Sequence, residues 1–431
     1  MVFKRRVPKI FVVAVIGAAL ISTACSERED PQDTADIGED VDAAPTWERP
    51  VEGQWFRGDL HVHAAGASND ASPESTHERI REVALEREMD FVVLTDHSNS
   101  TGSDPWTLDE DPDLFNQGPE FPFWDHVADL SDDSLILVQG NEISPVSDDH
   151  TEPRGHVGCI PASLDEFDPD VAFVDRPRGE VTGGEGLEQG LEVGCFTILN
   201  HPFGPVNWIA FDWTSYEYDA VEVWNGGAGY ATFDEEALKG WACDLSQGRQ
   251  ITPVGGSDNH KNNVEPPGTI ADPPLGTPVT WVFGQELEWD QIIDGLYSGK
   301  VSITDTGQPL EIDVFDEDGQ WLAMAGGEFE ARGTAVIKLT GNRGDASGDR
   351  TLSLMRIPAD ACDDPREVGE INVPDPNWEI LESHEISRGE SFEYKFEIEA
   401  QPGDAFFAWM RPEIIISRGD DVAISGALFA K

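Results

Sequence analysis

The chain has 431 residues, 39% of them hydrophobic and 42 of them glycine, which is enough to bury a large core and excludes wholesale disorder. Its length exceeds one ordinary domain and suggests two. Acids outnumber bases 84 to 28, and the formal charge of -56 argues against any surface built for nucleic acid or anionic lipid. The five cysteines are too few for a disulfide scaffold.

Lys4, Arg5, Arg6 and Lys9 precede an apolar run over 10–21, followed by small residues and Cys25. This has the shape of a secretory signal, and the run is shorter than the ~20 apolar residues of a membrane span. Ser22-Thr23-Ala24-Cys25 resembles the bacterial lipobox, with Ser22 where leucine is usual. The resemblance implies that Cys25 becomes a lipidated N-terminus in the cell envelope; plain secretion is the alternative. Ser26 after the cysteine is similar to lipoproteins sent on to the outer membrane. Removing 1–24 takes four bases and no acid away from -56 and leaves -60. Cys159, Cys195, Cys243 and Cys362 then remain, with three possible pairings and no sequence signal to choose among them. Simple burial of one or two is the plain alternative. Residues 26–51 read as an acidic, disordered linker. Its charge either holds the folded body off an anionic membrane or, with the acidity of the whole chain, reflects a salty habitat.

From residue 52 to 305, short apolar runs end in polar clusters. Trp55-Phe56-Arg57-Gly58-Asp59-Leu60 leads to His61-Val62-His63, and Phe91-Val92-Val93-Leu94 leads to Thr95-Asp96-His97. Leu135-Ile136-Leu137-Val138 leads to Gly140-Asn141-Glu142, and His156 stands inside the short strand 155–160. Cys195-Phe196-Thr197-Ile198-Leu199 leads to Asn200-His201-Pro202, and Ala220-Val221-Glu222-Val223-Trp224 to Asn225-Gly226. Ile251-Thr252-Pro253-Val254 leads to Gly255-Gly256-Ser257-Asp258-Asn259-His260. Continuous apolar runs of this length suit strands buried on both faces of a parallel sheet. A helix capped by Ser72 with Pro73 at its first position, and helices over 233–245 and 286–297, separate some of them. This alternation is the grammar of an α/β fold, a β/α (TIM-like) barrel whose strand ends converge over one mouth.

Six of the ten histidines lie in these clusters. His77, His126 and His384 read as structural, and His150 as a solvated loop residue. Alternation puts His61 and His63 on one side of a strand, and Asp258 and His260 likewise. With Glu142 they form a set suited to zinc, manganese or iron rather than to calcium or magnesium.

The order of His61-Val62-His63, Thr95-Asp96-His97, Gly140-Asn141-Glu142, His156, Asn200-His201-Pro202 and Ser257-Asp258-Asn259-His260 resembles the PHP (polymerase and histidinol phosphatase) superfamily. More narrowly it is similar to the carbaryl-hydrolase-like branch of exported metallohydrolases. The resemblance covers about 55–305 and implies a distorted seven-stranded barrel with two or three divalent ions. It implies that His61, His63, Glu142 and Asp258 hold a first metal. Glu142 bridges to a second, held also by His156 and His201. His97 and His260 hold a third, with Asp70 the candidate for a further ligand. Glu142, Asp258 and His201 are the residues expected to take part in catalysis. Asn200 is expected to support the ligands. Asp96 either orients an imidazole or closes a turn, and Glu222 and Asn225 either line the pocket or serve structure.

Adjacent divalent ions lower the pKa of water and polarise an ester, so the expected activity is hydrolysis, most naturally of a small phosphate ester. A carboxylic or carbamate ester is the neighbouring substrate, and a surface-anchored binding module keeping its metals for structure is the non-enzymatic alternative. Oligomeric state leaves no trace in the sequence. From 306 to 431, strands over 310–315, 334–340, 351–357, 392–398, 406–410 and 422–429 suggest an antiparallel sandwich, and 360–377 a long acidic loop.

Overall fold

The computed structural model describes residues 46–65, 68, 71–97, 123–146, 155–167, 181–204, 216–226, 232–261, 274–345, 348–362, 375–412 and 422–431. Cys25, Asp70 and His150 lie outside these residues. In chain order the first part runs β1 (Gln54–Val62), α1 (His77–Glu86), β2 (Phe91–Leu94), α2 (Phe123–Leu130), β3 (Ile136–Gln139), β4 (Asn141–Ile143), β5 (His156–Pro161), α3 (Gly183–Glu192) and β6 (Cys195–Asn200). It continues through β7 (Ala220–Asn225), α4 (Thr232–Ser246), β8 (Thr252–Gly256), β9 (Val279–Gly284), α5 (Trp289–Tyr297) and β10 (Val301–Thr304). Every residue of β2, β6, β7 and β8 is buried, as their unbroken apolar runs require.

Two local expectations need correction. The first helix starts at His77, not after Ser72: Thr76 caps it by accepting from the Arg79 N–H, while Ser72 closes a turn through its carbonyl and the Ser75 N–H. Ile80, Val83 and Ala84 form the helix's buried apolar stripe. The glycine-rich α3 was not expected, because glycine disfavours helix. There Glu185 accepts from both the N–H and the hydroxyl of Thr182, stabilising the first turn.

The expected barrel is not a closed ring of hydrogen bonds. β1, β2 and β3 are parallel neighbours in one sheet, and β4–β5–β6–β7–β8 form another. The strands depart from the expected parallel ring in two ways. β9 pairs antiparallel with β1 from Gln54 to Gly58 and takes the edge β8 would need. β5 runs antiparallel to both β4 and β6, so the sheet is mixed rather than parallel. Among the described residues the sheets meet through isolated bridges, Val62 with Asn259 and His97 with Glu142. At the first seam the His63 N–H donates to Asn259 O at 2.9 Å and the Asp258 N–H to His61 O at 2.8 Å.

The C-terminal strands share a sheet with the first part. β10 pairs with Ala423–Ser425, which pairs in turn with Ala405–Pro412, extending an eleven-stranded sheet beyond the 305/306 boundary. A four-stranded sheet (Trp321–Met324, Glu311–Asp316, Thr334–Asn342, Ser391–Glu399) packs against these strands over Ile312, Val314, Leu339, Leu354, Phe396 and Phe406. Each such fully buried side chain contributes about 1.5–3 kcal/mol relative to exposure. In Ser391–Glu399 the alternation is direct: Phe392, Phe396 and Ile398 are buried while Glu393, Glu397 and Glu399 are exposed. Disulfides join Cys159 of β5 to Cys195 of β6, and Cys243 of α4 to Cys362. No helix among the described residues is long and apolar enough to cross a membrane.

Candidate metal centre

The two seams are where the expected ligands gather. Val62 lies between His61 and His63, and its bridge partner Asn259 lies between Asp258 and His260. His97 and Glu142 are themselves bridge partners. His201 follows β6, while His156 opens β5. Because β5 is inverted, its first residue sits opposite Asn200 at the same end as the tips of the other strands.

Glu142, fully buried, is the hub. Its Oε1 lies 3.2 Å from His61 Nε2, 2.9 Å from His156 Nδ1 and 3.3 Å from His201 Nε2. Its Oε2 lies 2.8 Å from His97 Nδ1 and 3.7 Å from His63 Nε2. Asp258 Oδ1 is 3.3 Å from His61 Nε2, 3.2 Å from His63 Nε2 and 3.7 Å from His260 Nδ1. Four groups of ligand atoms fall within 4.8 Å of one another: His61–His63–Glu142, His97–Glu142–His156, His61–His201–Asp258 and His63–His97–His260. Of the nine expected metal ligands, eight are therefore brought together, and Asp70 is outside the described residues.

The donor set fits divalent cations. A carboxylate offers about four lone-pair sites, yet five imidazoles converge on Glu142, and neutral imidazoles present lone pairs as well as protons. His61 Nε2, His63 Nε2 and Glu142 Oε2 are buried and lack hydrogen-bond partners, a costly arrangement unless a cation answers them. Imidazole and carboxylate suit a transition metal.

Local charge divides the site. Burial opposes charge on His61, but Asp258, Glu222 and Glu142 outweigh it and raise its pKa well above the ordinary imidazole value. Burial, with His260 and His97 nearby, lowers His63 to about 3. Burial also opposes the charge of Glu142, yet His156, His61 and His97 hold its pKa well below the carboxylate range. For Asp258 burial is likewise outweighed, by His61, His63 and His260, and the pKa falls well below the usual value.

Neighbouring groups fix the ligands in place. The Asn200 amide donates to Glu142 Oε1 at 2.9 Å. Asp96 accepts from the Ala64 N–H at 2.7 Å and from Gln139 Nε2 at 3.1 Å, bracing the turn after the first motif. Glu222 faces His61 Nδ1 at 3.0 Å and accepts from the His201 N–H at 2.7 Å. Two residues escaped the sequence reading. Ser68 Oγ lies 3.0 Å from His63 Nδ1 and accepts from the His97 N–H at 3.3 Å. Asp59 accepts the N–H groups of His61, Ser257 and Gly276, tying three segments together at the first seam. Burial raises its carboxyl to about 6 against those hydrogen bonds. The alternation that pairs His61 with His63 also places Asp59 on their face, so that signal was present; nothing marks Ser68. Gly256 permits the seam, since a Cβ there would stand 2.4 Å from His61 Cβ.

The fold and site together define a mixed α/β protein with a histidine-rich, carboxylate-bridged cluster of the kind that holds metal ions. No protein-family model matches the chain, and no curated protein matches it. Among similar solved structures is a two-domain protein from Bacteroides vulgatus containing a predicted PHP-like metal-dependent phosphoesterase. It is 13% identical, with 90% of this chain and 97% of that one covered and a TM-score of 0.41. Another is Endonuclease Q in complex with a 27-mer duplex bearing an abasic lesion, 18% identical, covering 56% of each chain with a TM-score of 0.35. The present chain thus spans about half the endonuclease's length.

Proposed function

We propose that this protein is a metal-dependent hydrolase of the PHP superfamily, from its carbaryl-hydrolase-like branch, acting on small phosphate esters. One observation carries the reading: seven potential ligands gather around the buried Glu142, itself the eighth, and His61 Nε2, His63 Nε2 and Glu142 Oε2 have no hydrogen-bond partner. The order of the sequence motifs supports the family, and the two seam-joined sheets are read as a distorted seven-stranded barrel.

His61, His63, Glu142 and Asp258 would hold one ion; Glu142, His156 and His201 a second; His97 and His260, with Asp70, a third. Zinc, manganese or iron fits these donors. When bound, such ions supply Lewis acidity and lower the pKa of water. The residues of the chain hold the geometry and move the proton. Asn200 steadies the bridging Glu142. The Asp258 side chain, 20% exposed where Glu142 is 1%, is the carboxylate that water reaches and the one placed to take a proton from it. In so acidic a chain, local cations would offset the screened distant field and admit an anionic ester.

The signal-like start and Cys25 support export and a lipid anchor in the cell envelope, and the two disulfides fit an oxidising compartment. Metal analysis of the purified protein is expected to find two or three transition-metal ions per chain. A panel of chromogenic phosphate mono- and diesters is expected to show turnover that His63→Ala abolishes. Turnover of carboxylic or carbamate esters alone would move the electrophile from phosphorus to carbon. Bound metal with no turnover on any ester would make the protein a binding module.

A further inference from the structure

We propose that Glu222 is the positioning residue of the metal centre, one carboxylate that sets three of its ligands at once. This deepens the metal-site reading and rests on it. Glu222 lies on β7, a strand that contributes no proposed ligand, and is 2% exposed. Its Oε1 sits 3.0 Å from His61 Nδ1, the ring nitrogen pointing away from the cluster. A buried carboxylate accepts only, so this contact requires the proton on Nδ1, and the Nε2 lone pair is then the one available to an ion held between it, Glu142 and Asp258. Its Oε2 accepts from the His201 backbone N–H at 2.7 Å and from the Asn225 amide at 3.1 Å. That same amide lies 3.2 Å from Asp258 Oδ2.

The backbone shows why such a brace is needed. His201 and Asp258 both adopt positive φ, 28° and 53°, in the left-handed region that non-glycine residues avoid. Conformations of this kind persist where the surroundings over-determine them. The Glu222–Asn225 pair reaches both: directly at the His201 N–H, and through the shared amide at the Asp258 carboxylate. A neutral amide at 222 has one acceptor where the structure uses two. It can serve His61 or the His201 N–H, and whichever it leaves faces an N–H donor.

The test uses the full-length protein. Co2+ titrated into chelator-stripped wild type and Glu222→Gln, followed by ligand-field absorption, is expected to show affinity falling 10–100-fold in the variant with a changed spectrum. In zinc-loaded wild type labelled with 15N-histidine, His61 is expected to carry its proton on Nδ1. A wild type that binds cobalt beside a variant of equal affinity and identical spectrum would overturn the role of Glu222 and leave the metal site standing. A wild type that takes up no metal would instead overturn the metal-site reading itself. If Glu222→Gln fails to fold, the zinc-loaded wild type still decides: a proton on Nε2 of His61 overturns the proposal.

Discussion

His61 and His63 stand two residues apart on one strand tip and share two carboxylates, yet the rest of their surroundings differs. Three carboxylates surround His61: Glu222 at 3.0 Å, Glu142 at 3.2 Å and Asp258 at 3.3 Å. His63 faces two of the same carboxylates, Asp258 at 3.2 Å and Glu142 at 3.7 Å, but its other nitrogen meets the Ser68 hydroxyl instead of a third, and its ring stacks on His260 with centroids 3.9 Å apart and lies 4.6 Å from the His97 ring. One imidazole is thereby held charged and the other neutral in the metal-free chain. A metal must displace a proton at the first and meets a free lone pair at the second. The centre has an acidic side that attracts cations and an imidazole side already prepared to ligate them.

Deleting each ring in turn is the sharpest way to break this contrast. His61→Ala leaves the buried Glu142 and Glu222, and the partly exposed Asp258, without the cation between them and is expected to destabilise the metal-free protein by about 3–5 kcal/mol. His63→Ala removes a neutral ring and is expected to cost roughly 1–3 kcal/mol. Denaturant melts in chelator measure both, and equal losses would abolish the distinction.

The pH dependence of the metal-free protein should show the same division. The pKa of His63 falls from 6.5 to about 3 on folding, so the unfolded chain accepts a proton that the folded chain refuses. Its contribution to stability is complete above 6.5 and declines as pH drops from there towards 3. His61 has the reverse sign: its contribution is complete below 6.5 and is lost as pH climbs through its raised pKa. Glu142 and Asp258, both depressed, add stability that acid removes. His63→Asn is therefore expected to flatten the acid limb, by at most about 1.4 kcal/mol per pH unit. Melts across the acid range check this, and an unchanged limb would assign the acid loss to the carboxylates alone.

The smallest effect is expected at the hydroxyl. Ser68→Ala should weaken metal binding by about 1 kcal/mol, roughly 5-fold, through loss of one neutral hydrogen bond to His63. A loss as large as that expected for the carboxylate partner of His61 would mean the two sides are braced alike.

The clustering residues were legible because strand alternation and position at strand ends are local properties: His61 with His63, and Asp258 with His260, follow from a period of two. The supports were harder to read. Ser68 meets His63 through a turn, and Glu222 meets His61 across 161 positions, a distance that no local periodicity spans. The direction of β5 was hidden for the same reason, since an apolar run reads alike in both orientations. The disulfide partners, too, came only from the packing of β5 on β6 and of α4 near Cys362. The barrel expectation went too far at β1 because the pairing with β9 lies between residues more than two hundred apart.

The ladder between β10 and Ala423–Ser425 sets a limit on excision. Cutting the gene after residue 305 would strip Ser302, Ile303 and Thr304 of their partners on one side, leaving only β9 on the other, and bare a sheet margin that invites self-association. The part that carries the histidine cluster is thus not portable by itself, and any graft of this centre into another host would have to bring the last strands of the chain with it.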